Sequence, residues 1–538
     1  MGIKQIWIFA CLLIMAVAAF VLYIPANSAG SQNMAMVQMF QPDEAGPLPY
    51  VFRMIAPTGS LNEALRSFVF YEYYYYGFPY FSLSALVMLP VQWVGRLAEL
   101  PLVMLLLRQM VSVLPMLAAL LLLVYMQDGF RTYRSPVLFV FLLAVPAVVQ
   151  NNMWWHPDGL TFLLVVLTLF FLQRDDLHFG WNFILAAVMS GIATATKLVG
   201  VYFFLAVGLT LLLGIVLKKA SWKRLVLMAG VFVAVMGIAY VAANPFLLSH
   251  WARTAYIDIF YKQTGLLSDG YGVVYERGVE AAWPYMHASY GELIFLLIAL
   301  VATIWGAWRG PRRLLHGLIL AWFIPLTVVV LWVSHFKFQY WLPAALPLFS
   351  SLAVLLPEKL SLKKSPTDFA ARWNKILPVT LAALLVMLVQ FGLFVGKDAG
   401  LYSADLRRAD NNPRIQFYTD VVEALKPVSA GSLHVYYDYR LYVPETASWT
   451  AETNYDLLDY EYIQQGQFEV LLLLKQRILD YLNPEASGVD PAVFARNQQF
   501  YRDAENGTVE GFHLVYRNEV GLVYVRNDLY QQYYSTRP

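Results

Sequence analysis

Two adjacent carboxylates, Asp43 and Glu44, stand in Gln41-Pro42-Asp43-Glu44, the first hydrophilic stretch after an apolar run. A carboxylate placed in such a loop can take the proton of a water-side hydroxyl as that hydroxyl attacks a carbon. The bland alternative is a solvated acidic turn, favoured by Pro42 and Gly46. A second acidic motif, Trp154-Trp155-His156-Pro157-Asp158, joins two later apolar runs. Asp158 either caps the helix that follows, as Asp often does, or works with His156 to orient an acceptor or the first carboxylate. A zinc ion on His156 and the acids would lack metal-ligand spacing, and the expectation is no metal and no cofactor.

Cations recur at similar places. Lys197 ends one apolar run in Thr196-Lys197 with no acid adjacent in the sequence, so it is either functional or snorkels to the interface. The segment His335-Phe336-Lys337-Phe338-Gln339-Tyr340 sets two candidate cations and a tyrosine in a short turn. A leaving phosphate gains negative charge in a transition state, and preorganised cations stabilise it. Lys197, His335, Lys337 and Tyr340 therefore read as a phosphate-binding set, against the alternative of an interfacial hairpin decorated with aromatics.

The elements that must position these groups are apolar. The chain has 538 residues, 59% of them hydrophobic and 14% charged, where a soluble chain carries roughly a quarter charged. Apolar runs of about 18–25 residues recur, long enough to cross a bilayer. Expected spans are 5–24, 102–126, 136–150, 160–173, 182–197, 199–217, 225–248, 291–308, 314–334, 340–357 and 376–396. The first is read as a retained span rather than a cleaved signal. The net charge of +2 comes with no basic patch suited to nucleic acid. Cys11 is the single cysteine, which excludes an intrachain disulfide.

Basic residues cluster in alternate loops: Arg131 and Arg134; Arg174; Lys218, Lys219, Lys223 and Arg224; Arg309, Arg312 and Arg313; Lys359, Lys363, Lys364, Arg372 and Lys375. If residues 81–94 do not cross, all of these share a side with Lys4, the cytoplasm by the positive-inside rule. Residues 81–94 are accordingly expected to be juxtamembrane or re-entrant, with the tyrosine run 73–76 at headgroup level. Asp43, Glu44, His156, Asp158, the 249–290 loop and the tail then lie together outside the cytoplasm. The tail carries strand patterns at Leu433–Tyr437, Phe468–Leu474, Phe512–Tyr516 and Gly521–Val525, and helix patterns at Phe417–Leu425 and Arg477–Leu482. The expected fold is a polytopic α-helical membrane protein of about eleven spans plus juxtamembrane helices (1–396), with a small C-terminal extracytoplasmic α/β domain (397–538).

Taken in order, Asp43-Glu44, Leu107-Arg108, Asp158, Thr196-Lys197 and Lys337…Tyr340…Pro343…Pro347 resemble the C-type glycosyltransferase (GT-C) superfamily, which includes protein O-mannosyltransferases and aminoarabinose transferases. The resemblance covers most of residues 1–357. It implies an inverting transferase that moves a sugar from a polyprenyl-phosphate donor to an extracytoplasmic lipid, glycan or protein, in a bacterial inner membrane. It maps the base to Asp43 and donor-phosphate binding to Lys197 and Lys337. His156-Pro157-Asp158 departs from the commoner Arg-x-x-x-Asp form, and His335 and Lys337 stand where an arginine is frequent. Competing classes are a lipid-linked-sugar flippase or transporter, which should show inverted repeats, and a polysaccharide polymerase or ligase, which would not need the leading Asp-Glu.

Overall fold

The computed structural model describes residues 3–356, 377–428, 432–455 and 458–535. The last basic cluster of the sequence reading, Lys359, Lys363, Lys364, Arg372 and Lys375, lies outside the described residues, as do residues 357 and 376 at the ends of two expected spans. The chain divides into two compact units. One holds Met1–Ser28, Tyr50–Tyr261 and Arg277–Leu406; the other holds Ala29–Pro49, Lys262–Glu276 and Arg407–Pro538.

The first unit is helical. Among the described residues, six helices are long and apolar enough to cross a membrane: Ile3–Ser28, Leu100–Asp128, Val199–Val216, Trp222–Ala242, Arg313–Val333 and Thr380–Leu406. Two bent pairs bring the number to eight if each is one span. The expected straight span 136–150 is one of them: Arg134–Leu143 and Pro146–Asn152 meet at 66°. The cause is Pro146, which pushes Val145 into extended backbone. Leu100–Asp128 is central, 67% buried in its most apolar window, whereas Trp222–Ala242 is 11% buried. The outer helix turns Val226, Leu227, Val233 and Ile238 outward, a surface suited to lipid tails rather than water. The 249–290 stretch, read as a loop, contains helices His250–Ser268 and Val279–Tyr290.

Helix Phe78–Trp93 covers the ambiguous segment. Its sixteen residues rise about 24 Å, short of the ~30 Å hydrocarbon core. In the tyrosine run before it, Tyr73, Tyr75 and Tyr76 are half-buried and Tyr74 is buried. Tyr74 is 3% exposed and packs on Phe246 at 4.5 Å between ring centroids.

The second unit is built on a five-stranded sheet: β1 Leu433–Tyr437, β2 Trp449–Glu452, β3 Val470–Leu474, β4 Phe512–Arg517 and β5 Gly521–Arg526. The order is β2-β1-β3-β5-β4. β1 runs parallel to β2 and β3, and β5 antiparallel to β3 and β4. Every residue of β3 is buried, as its unbroken apolar run demands of a strand covered on both faces. Leu471 and Leu473 join Tyr436, Tyr501 and Tyr524 on one face; Val470, Leu472 and Leu474 join Phe417, Val421 and Val523 on the other. Helix Pro491–Asn506 supplies Phe494, Phe500 and Tyr501 to the first face.

Candidate functional site

Helix Asp158–Asp175 begins at the second acidic motif, but its N-cap is Pro157 and no side chain caps it. Asp158 is therefore the first helical residue, and its carboxylate is turned to other work. One oxygen meets His156 Nδ1 and the other meets Lys197 Nζ. Asp158 is 1% exposed and His156 3%. A buried carboxylate is tolerable when paired and hydrogen-bonded in this way.

His156 is fixed on every side. Its ring stacks on Trp154 at 4.1 Å and 2°. Its Nε2 lies 3.1 Å from the Tyr76 hydroxyl, and its backbone N–H donates to Ser112 Oγ at 3.2 Å. The close approach of Ser112 needs Gly159, where an added Cβ would sit 2.6 Å from the Ser112 carbonyl oxygen.

Lys197 ends helix Trp181–Lys197, which stops because Leu198 turns left-handed at φ 50°. The missing acid of the sequence reading is Asp158, 39 residues earlier in the chain. Lys197 Nζ also stands 4.9 Å from the centroid of the Tyr340 ring, and Lys337 Nζ stands 5.8 Å from the same centroid. Lys337 is the N-cap of helix Phe338–Ser350, whose first turn carries Tyr340. The His335 ring, 7% exposed, lies 6.3 Å from that of Tyr340. Within the first unit, then, His156, Asp158, Lys197, His335, Lys337 and Tyr340 form one connected group.

Gly77 ties the tyrosine run to this group. Its N–H donates to the Thr196 carbonyl at 3.2 Å, and a Cβ there would fall 1.6 Å from the Ala195 oxygen. Only glycine permits that approach, which brings Tyr76 to His156. Tyr76 was missed in the sequence because nothing distinguishes it from its neighbours in a run of four tyrosines. Arg108 sits in a π-helical turn, Arg108–Val113, inside the central helix. It is fully buried and donates to the Asn27 carbonyl at 2.8 Å; such turns are frequent at functional sites.

Asp43 and Glu44 belong to the second unit, on the four-residue helix Pro42–Ala45. Their loop is pinned along its length. Arg408 Nε donates to the Ala29 carbonyl at 3.1 Å, and its guanidinium covers the Phe40 ring at 5.2 Å. Asn33 donates to the Tyr442 hydroxyl at 2.9 Å, and the Tyr455 hydroxyl donates to the Pro42 carbonyl at 3.4 Å. Glu44 is fully buried, whereas Asp43 is exposed. Among the described residues the Asp43 carboxylate has no hydrogen bond or ion pair, so its lone pairs are open to an incoming proton. Among the described residues no three His, Cys, Asp or Glu side chains are grouped to hold a metal ion.

No family model matches the chain, and no curated protein matches it. Among solved structures, the crystal structure of ArnT from Cupriavidus metallidurans bound to undecaprenyl phosphate is similar, with a TM-score of 0.54 and 13% identity over 97% of this chain and 98% of that one. At this identity the likeness speaks for the fold. The chain shares its fold with that protein over nearly the full length of both.

Proposed function

We propose that this protein transfers a sugar from a polyprenyl-phosphate carrier to an acceptor outside the cytoplasm, with Asp43 as general base. The observation that carries the reading is the meeting of Lys197 and Lys337 at Tyr340, in a fold shared over nearly the full chain with a protein bound to undecaprenyl phosphate. In the reaction an acceptor hydroxyl oxygen attacks the anomeric carbon. The bond from that carbon to the carrier's phosphate oxygen breaks, and the bonding pair leaves with the phosphate. Asp43 takes the hydroxyl proton, and attack opposite the leaving group inverts the anomeric centre. Charge grows on the phosphate as the bond breaks, and cations already in place stabilise it without reorganisation.

Lys197 shares its charge with Asp158, and Lys337 brings a second cation to the Tyr340 ring. Asp158 and His156 act as positioning residues that hold Lys197 at the Tyr340 ring. Glu44, buried beside Asp43, orients the loop. The protein works in a bacterial inner membrane with its N-terminus in the cytoplasm and its acids outside. Mass spectrometry of envelope lipids, glycans and proteins, with the protein present and deleted, tests the reading. A hexose or pentose modification present only with the protein is expected; identical envelopes would refute it.

A further inference from the structure

Helix Phe338–Ser350 presents Lys337 at its N-cap and Tyr340 in its first turn, yet it is a weak helix by itself. Pro343 and Pro347 stand inside its thirteen residues, and neither has an N–H to give the carbonyl four residues earlier. Its N-cap makes no side-chain capping hydrogen bond. Neighbouring helices hold it in place. The Trp322 indole N–H donates at 2.9 Å to the Pro343 carbonyl, which Pro347 leaves free. The Trp341 indole N–H donates to Thr327 Oγ1 at 2.9 Å. In the first turn, the Tyr290 hydroxyl donates to the Phe338 carbonyl.

Tyr290 is fully buried. Its ring meets that of Trp341 edge-on, 4.9 Å between centroids at 84°, so packing aims the hydroxyl. Tyr290 is the last residue of helix Val279–Tyr290, which meets Leu293–Arg309 at 80°. That bend is held from helix Leu377–Leu406. Gly291 sits at φ 99°, and a Cβ there would fall 2.7 Å from the Gln390 carboxamide carbon. Gln390 Oε1 accepts the Glu292 N–H at 3.0 Å, and Lys397 Nζ donates to the Ala288 carbonyl. Tyr290 thus joins a fixed bend to the turn that carries Lys337 and Tyr340. Lys197 reaches the same Tyr340 ring from a different helix. The spacing of the two cations therefore depends on where that first turn lies, and cations stabilise a growing charge best when they are already in place.

We propose that Tyr290 is a positioning residue for the lipid-phosphate site: its hydroxyl fixes the first turn of helix Phe338–Ser350 and so sets Lys337 against Lys197 around the Tyr340 ring. This role rests on the reading of Lys337 as a phosphate-binding cation, and the test separates the two. Tyr290→Phe keeps the ring and its contact with Trp341 and removes only the O–H. Binding of undecaprenyl phosphate, and of undecaprenol as the lipid without its phosphate, is measured on detergent-solubilised full-length protein. The native protein, Tyr290→Phe, Lys337→Ala and the double variant are compared. Loss of one neutral hydrogen bond should weaken phosphate binding about three- to tenfold and leave undecaprenol binding unchanged. In the Lys337→Ala background the same substitution should weaken binding no further, because its effect passes through the lysine. Gln390→Leu loosens the bend without touching the hydroxyl. It should act in the same direction, again only with Lys337 present, and it decides the matter if Tyr290→Phe does not fold. Native phosphate binding by Tyr290→Phe, with Lys337→Ala weakened, would overturn the role of Tyr290 alone. An equal loss with and without Lys337, or an equal loss for undecaprenol, would overturn it too, since either marks a general loosening of the fold. Native phosphate binding by Lys337→Ala would remove the lysine assignment and the role of Tyr290 with it.

Discussion

Lys197 ion-pairs with Asp158 across 39 residues of sequence, and the same carboxylate holds His156 with its other oxygen. The pair is buried on the acid side and 20% exposed on the lysine side. Removing one partner leaves the other charged without compensation. Asp158→Ala should therefore lower stability by about 3–5 kcal/mol, read as a drop in the melting temperature of the solubilised protein. The double variant Asp158→Asn with Lys197→Met should recover much of that loss while transfer stays low. A double variant as unstable as the single one would show that the ion pair is not the source of the effect.

Lys337→Ala should raise the donor concentration needed for half-maximal transfer and slow the reaction, with binding of a water-soluble acceptor largely spared. Lys337→Arg should keep part of the activity, because the charge survives although its geometry changes. Kinetics against a lipid-linked donor of defined chain length measure both. If Lys337→Ala leaves donor dependence and rate unchanged, this lysine is an interfacial anchor.

Much of the sheet domain was legible in the sequence. Leu433–Tyr437 forms the expected strand, and the patterns at 512–516 and 521–525 each extend by one residue. Strand Trp449–Glu452 was not, because its residues are mostly exposed and carry no alternation. Helix Pro491–Asn506 was missed although its punctuation is present: Asp490 caps it, Pro491 opens it and Gly507 closes it in a left-handed turn. Its apolar face is only a few residues, so periodicity alone is silent. In the candidate site, the residue types at 43, 158, 197 and 337 stood out, but the pairing of 158 with 197 depends on helices packing side by side. That is a tertiary fact that local pattern does not carry. Nor does local pattern show that Ala29–Pro49 and Lys262–Glu276 group with the tail from Arg407.

Gly77 has no room for a side chain, since a Cβ would overlap the Ala195 carbonyl at 1.6 Å. Gly77→Ala must separate the tyrosine run from the end of the Lys197 helix. The expected result is lower yield of folded protein and reduced transfer in what remains. Wild-type melting and wild-type transfer in this variant would contradict the close contact.

The sidedness of the protein can be mapped through its cysteine content. Cys11 is the only native thiol and is exposed in the first helix. In a Cys11→Ser background, a cysteine at exposed Ser432 should react with a membrane-impermeant maleimide from outside the cytoplasm. Labelling only from the cytoplasmic side would place the sheet domain on the wrong side for the proposed reaction.

The central claim is that Asp43 takes the acceptor's proton. Its carboxylate is exposed and has no hydrogen bond or ion pair among the described residues, so Asp43→Asn should disturb neither folding nor donor binding. The decisive measurement is the single-turnover transfer rate of purified Asp43→Asn with saturating lipid-linked donor and acceptor. A fall on the order of 10²–10⁴, with unchanged melting temperature and donor affinity, is the predicted result. Transfer at a near-native rate would contradict the assignment of Asp43 as the base.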